Sequence, residues 1–173
     1  QVVRLTNDIH AERTVSWGKG GIVFNTDATS HGRYNLFRIF DVETATISRL
    51  TSAPVDHEQP QALPDGRVVF TAFENGPANL YEVKNGYVSR LTDVLTGLFE
   101  PSPGKEGGVW AMLHHAGRQR PVHLTPDDLL SVERTAVQPA LPGAASATVS
   151  LGGAGEYSAL DLSNWELGNI FRL

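Results

Sequence analysis

The chain contains no cysteine, which removes disulfides, thiolate metal sites and cysteine nucleophiles together. This leaves the compartment open, since periplasmic and cytosolic proteins alike manage without it. Positive charge is also scarce: 14 Lys+Arg against 19 Asp+Glu give a net charge of -5 over 173 residues. A chain of that balance lacks the broad positive field that gathers nucleic acid, so no nucleic-acid partner is expected. No run of about 18 apolar residues occurs, so no transmembrane helix is expected in this chain. A basic-then-apolar leader is missing at Gln1 too, which reads as a removed signal or as a start within a longer polypeptide.

The usual marks of chemistry are equally thin. Six histidines occur, at 10, 31, 57, 114, 115 and 123, without an H-E-x-x-H arrangement. His114 and His115 are adjacent, and on a strand they project to opposite faces, which is poor geometry for shared ligation. No G-x-S-x-G nucleophile elbow is present, and Ser102 stands between Pro101 and Pro103, where a strained strand-to-helix turn is implausible. Gly18-Lys19-Gly20-Gly21 lacks the order of a phosphate-cradling loop, and Gly152-Gly153-Ala154-Gly155 lacks the G-x-G-x-x-G spacing. No D-x-D-x-D-G calcium loop is found. Neither an enzyme nor a cofactor or metal site is expected here.

What the chain does have is internal repetition, and 40% apolar with 19% charged residues is a globular composition. Arg-Leu-Thr occurs at Arg4-Leu5-Thr6, Arg49-Leu50-Thr51 and Arg90-Leu91-Thr92, spaced by 45 and 41 residues. A weaker fourth version is His123-Leu124-Thr125. Gly20 to Phe24 aligns in the same phase with Gly66 to Phe70 and with Gly107 to Ala111. Tyr34 to Phe37 aligns with Ala78 to Tyr81; Pro60 matches Pro101, and Thr14 takes that place in the first copy.

Each copy reads as short strands between turns. Ile22 to Phe24 and Val68 to Ala72 are β-branched and aromatic runs bounded by glycine. Pro64-Asp65-Gly66 supplies turn chemistry directly, since proline presets φ and glycine accepts a positive one. Leu36 to Val42 and Leu80 to Val83 form the next strands, and Asn85-Gly86 predicts a two-residue hairpin into Tyr87 and Val88. Glu43 to Thr46 occupies that hairpin position in the first copy. A four-stranded antiparallel unit repeating at this interval is a propeller blade.

The pattern of Pro, Pro-Asp-Gly, apolar strand, Asn-Leu-Tyr, hairpin and Arg-Leu-Thr resembles the repeat of TolB and related propellers, with Gln59 to Thr92 the best match. The first copy has Trp17-Gly18-Lys19-Gly20 in place of Pro-Asp-Gly; the third keeps only Glu106-Gly107 and loses Asn-Leu-Tyr. The resemblance covers residues 4 to 125. It implies an all-β fold of three four-stranded blades over residues 1–125, divided at 4–51, 52–92 and 93–125, belonging to a larger ring. It also implies a non-catalytic protein-binding or scaffolding role in the periplasm or at the outer membrane. Two alternatives share the repeat: the substrate-gating propeller of a prolyl-oligopeptidase-like serine peptidase, and the soluble part of an outer-membrane barrel protein.

Beyond Thr125 the repeat stops. Thr125-Pro126-Asp127-Asp128 predicts a short helix capped by Thr125, within a short-helix and linker region at 126–155. Residues 137–155 are rich in Ala, Pro, Gly and Ser, with one possible strand at Ala147 to Leu151. The tail at 156–173, with Tyr157, Leu160, Trp165 and Phe171, reads as a further domain's start or a docking segment. Within the blades Trp17 and Trp110 are expected in the core. Arg4, Arg49 and Arg90 are expected to be structural, their stems covering a neighbouring blade. The candidate partner-binding loop is Asp56, His57 and Glu58, a polar stretch leading into the inner strand of the second blade.

Overall fold

The computed structural model describes residues 4–44, 46–74, 76–130 and 134–136, the last three as backbone only. The first blade is an antiparallel sheet of β1 (Glu12–Gly18), β2 (Gly21–Thr26), β3 (Asn35–Ile39) and β4 (Ile47–Arg49), in that order. The second contains β5 (His57–Ala62), β6 (Val68–Ala72), β7 (Asn79–Lys84) and β8 (Tyr87–Arg90). The third contains β9 (Leu98–Pro103), β10 (Val109–His115) and β11 (Arg118–Leu124). The fold is all-β, with only single turns of 3₁₀ helix at Lys105–Gly107 and Pro126–Asp128 among the described residues.

The turns form where their residues demand. Asn85 (φ 52°) and Gly86 (φ 78°) make the two-residue hairpin between β7 and β8. Both are left-handed, as that turn requires. Gly66 (φ 89°) closes the Leu63–Arg67 reversal by donating its N–H to the Leu63 carbonyl.

Blades stack front to back through the two-residue period of their strands. Val68, Phe70 and Ala72 face the first blade with Tyr81 and Val83, packing on Val23 and Leu36. Val69 points the other way and joins Leu63, Leu80 and Leu91 against Leu98, Val109 and Ala111 of the third blade. The second blade therefore buries both faces, which is why β6 is buried at every position.

Arg-Leu-Thr recurs because its threonine closes a clasp. The Leu36 N–H donates to Thr51 Oγ1 at 2.9 Å, and that hydroxyl donates to Asn35 Oδ1 at 3.2 Å. Asn35 also accepts from the Ala53 N–H at 2.8 Å and donates to the Ala53 carbonyl. Leu80, Thr92, Asn79 and Val94 repeat the arrangement bond for bond. The clasps are buried, so each polar atom needs the partner it has.

The innermost strand of every blade carries a bulge. Thr14, Gln59 and Glu100 each have positive φ (28°, 52° and 52°) where the pairing register breaks. The register corrects one sequence alignment: Val15, not Thr14, stands where Pro60 and Pro101 do. The extra residue ahead of that position bends the strand there.

The third blade departs from the expected four strands. Among the described residues it has three, and β12 (Arg134–Ala136) pairs with β8 instead, giving the second sheet five strands. His123-Leu124-Thr125 is consequently no fourth clasp: His123 and Leu124 end the third strand, where Glu82 and Val83 lie in the second blade. By register, Arg120 and Pro121 replace Asn79 and Leu80, so the clasp residue is missing. After Leu124 the chain makes the Pro126–Asp128 turn, and Leu130 donates its N–H to the Leu91 carbonyl, committing the segment to the second blade. Thr125 opens that turn as expected, its N–H and hydroxyl both donating to Asp128. The remaining linker at 137–155 and the tail at 156–173 lie outside the described residues.

The tryptophans are a further correction. Trp17 is 70% and Trp110 46% exposed, because each lies on a blade face with no neighbouring sheet among the described residues. Trp17 is on the front of the first blade and Trp110 on the back of the third.

Candidate functional site

The innermost strands all start at one end of the blades, and the β2–β3, β6–β7 and β10–β11 connections return to that end. Asp56, His57 and Glu58 are there. Only Asp56 is on the connection; His57 and Glu58 open β5, so the expected loop is partly strand.

His57 is interior. Its Nε2 lies 3.0 Å from Glu74 Oε1, its ring sits 4.8 Å from the Phe70 ring, and it is 1% exposed. The backbone of the same residue fastens two blades: its N–H donates to the Tyr34 carbonyl and its carbonyl accepts from Asn25 Nδ2. Its Nδ1 is buried without a hydrogen-bond partner. Asp56 accepts from the Tyr34 N–H at 3.0 Å and from Arg33 Nη1 at 3.3 Å. Glu58 lies 3.9 Å from Arg13, whose guanidinium stands 4.1 Å above the Tyr34 ring. The two carboxylates thus form a partly exposed, charge-balanced rim across the first two blades, with His57 beneath.

Sequence reasoning missed the apolar part of this end. Ile9 is 98% and Leu95 90% exposed, on the connections ahead of β1 and β9, and Phe73 is exposed between β6 and β7. The available signal was Ile9 alone in the polar Asn7-Asp8-Ile9-His10; Leu95 carries no such mark, since Val94 precedes it. Among the described residues no three His, Asp or Glu side chains converge as a metal site would need.

The opposite end is a fixed structural joint. Arg67 donates to Asp65 at 2.6 Å, Glu82 at 3.1 Å and the Gly107 carbonyl at 3.0 Å, tying the second blade to the third. Burial works against the Arg67 charge, but its bonds to Asp65 and Glu82 prevail and hold its pKa above the ordinary value. Partial burial likewise works against the Asp65 carboxylate, and the Arg67 N–H and guanidinium outweigh it, lowering the pKa. The recurring arginines make local contacts: Arg4 to the Thr6 carbonyl and Arg90 to Asp93.

No protein-family model matches the chain, and no curated protein matches it. A solved structure from Agrobacterium tumefaciens assigned as TolB is similar over 76% of this chain, with TM-score 0.60 and 19% identity. At that identity the likeness shows the fold, a TolB-like propeller arrangement. The matched region covers 50% of that protein, so this chain spans about half its length.

Proposed function

We propose that the chain is a non-catalytic protein-binding propeller element of the cell envelope, periplasmic or outer-membrane associated, that takes its partner where the innermost strands begin. The observation that carries this is the pair Ile9 and Leu95, almost fully exposed on two connections of one end. Exposed aliphatic side chains beside a rim of paired charges are the composition of an interface, an apolar centre with a polar edge. Asp56 and Glu58 supply part of that edge, and His57 holds the strand beneath them. The TolB-like fold and repeat support the envelope location.

Site-specific photocrosslinking in bacteria exporting the chain tests the reading. A crosslinker at Leu95 or Ile9 should yield a discrete protein adduct, and one at Lys84, at the opposite end, should not. Equal labelling from all three positions, or none from Leu95 and Ile9, would overturn it.

A further inference from the structure

We propose that the partner carries an acidic segment whose carboxylates are held by Arg118 and Arg120 of the third blade, a step that rests on the binding end proposed above and adds the partner's chemistry.

Charge is unevenly spread along this chain. Its net charge is -5, yet Val109 to Leu124 holds Arg118, Arg120 and three histidines without one Asp or Glu. The two arginines stand two apart on β11 and so share a face, with their Cα atoms about 6–7 Å from each other. His115 is directly opposite Arg118 across the β10–β11 pair. All three are exposed, and neither arginine has a hydrogen bond or ion pair among the described residues.

The register puts this face at the binding end. Val122, next on the same face of β11, packs with Leu113 between the second and third blades, so the arginines are on the side of the third blade that looks onto the second. Val109 and Leu124 correspond to Val68 and Val83, which sets Leu113 level with Ala72 and Arg120 level with Asn79, where β6 ends and β7 starts. β10 and β11 continue two residues beyond that level, to His115 and Arg118, before Ala116 (φ 50°) and Gly117 (φ 72°) close the hairpin. The face is open because the second sheet ends below it.

The hairpin is also tied to the apolar part of this end. His114 donates its N–H to the Gly97 carbonyl at 2.9 Å, on the connection that carries Leu95. The Phe99 ring lies over Gly97, where a Cβ would come within 2.8 Å of it, and its centroid is 6.3 Å from that of Phe73. Leu95 and Phe73 are both exposed.

Two guanidinium forks on one face match carboxylates, which they grip through paired N–H donors. With Leu95 and Phe73 beside them, they fit a protein segment in which Asp or Glu stands next to an aliphatic or aromatic residue. A broad anionic surface fits less well. Asp8, Asp56, Glu74 and Asp93 stand on the connections of the same end and would meet it with like charge.

A random peptide library displayed on phage and selected on the full chain tests this without a known partner. The selected peptides should share Asp or Glu beside an apolar residue. The commonest of them, synthesised, should bind the Arg118→Glu, Arg120→Glu double variant about tenfold more weakly, and the Leu95→Ser variant more weakly too. Lys84→Glu, at the other end, should leave its binding unchanged. Neither arginine supports the fold through a bond, so circular dichroism should stay the same on charge reversal. Selected peptides without carboxylates, or binding indifferent to the charge reversal, would overturn the acidic segment and leave the binding end standing where Leu95→Ser still weakens them. Indifference to both, or no selected peptide, would overturn the binding end with it. Binding of phosphatidylglycerol vesicles that the charge reversal abolishes would give the arginines to a lipid surface and overturn the proposal equally.

Discussion

The Thr92 hydroxyl donates to Asn79 Oδ1 at 2.9 Å while accepting the Leu80 N–H at 2.9 Å, so one oxygen joins a strand to the segment leaving its blade. Thr92→Val keeps the shape and removes both bonds, stranding the Leu80 N–H and an Asn79 lone pair in the interior. The expected loss is about 1–3 kcal/mol, read from urea unfolding midpoints. Asn79→Ala should cost a similar amount. Because the two side chains form one network, the double variant should lose less than the two single losses added.

The contact of Gly18 with Ala62 makes a second prediction. A methyl at Gly18 would meet the Ala62 Cβ at 2.5 Å, so Gly18→Ala must part the first two blades. Overpacking of this kind costs roughly 1–3 kcal/mol. Ala62→Gly placed in the same chain removes the obstructing atom and should recover most of the loss in a thermal unfolding series. A failure to recover would mean that Gly18 is needed for its backbone and not for the space.

Much of this was readable beforehand because blade chemistry is local. Pro64-Asp65-Gly66 and Asn85-Gly86 set their own turns, and Val68 to Ala72 is β-branched enough to be read as a strand. The interval of 45 and 41 residues then gave the blade. The parts that were not readable depend on partners far away in the chain. His123-Leu124-Thr125 imitates the clasp in sequence, yet Arg120 stands in the asparagine's place, and only the β10–β11 register reveals it. Trp17 would be core in a middle blade and is exposed because no described sheet lies against its face. His57 looked like a loop residue beside Asp56, but the side-chain alternation of β5 sends it inward onto Phe70.

Asp65 predicts a limited acid sensitivity. Its folded-state pKa is lowered, so its contribution is fully present above the unfolded value of about 3.9 and is lost as pH falls through the lower folded value. The side chain is half exposed, so solvent screening keeps the effect modest. Asp65→Asn should flatten part of the stability loss below that pH and leave the neutral value slightly reduced. Unfolding midpoints collected across acid pH for both chains would show the two curves converging; curves that stay parallel would assign the acid slope to other carboxylates.

Gln59 joins the second and third blades at their innermost strands, because its Oε1 accepts from Thr71 Oγ1 at 3.0 Å and from the Glu100 N–H at 2.9 Å. The bulge at Gln59 is what aims that side chain across the gap. Gln59→Met keeps the length of the side chain and removes the acceptor, leaving a hydroxyl and a backbone N–H without it, and should cost about 1–3 kcal/mol. The Glu100 amide, which Gln59 holds in the native chain, should then exchange its hydrogen faster by a larger factor than that of Phe70, which reports the global loss. Hydrogen exchange read residue by residue separates this local release from a purely general loss of stability, in which both amides would speed up by the same factor.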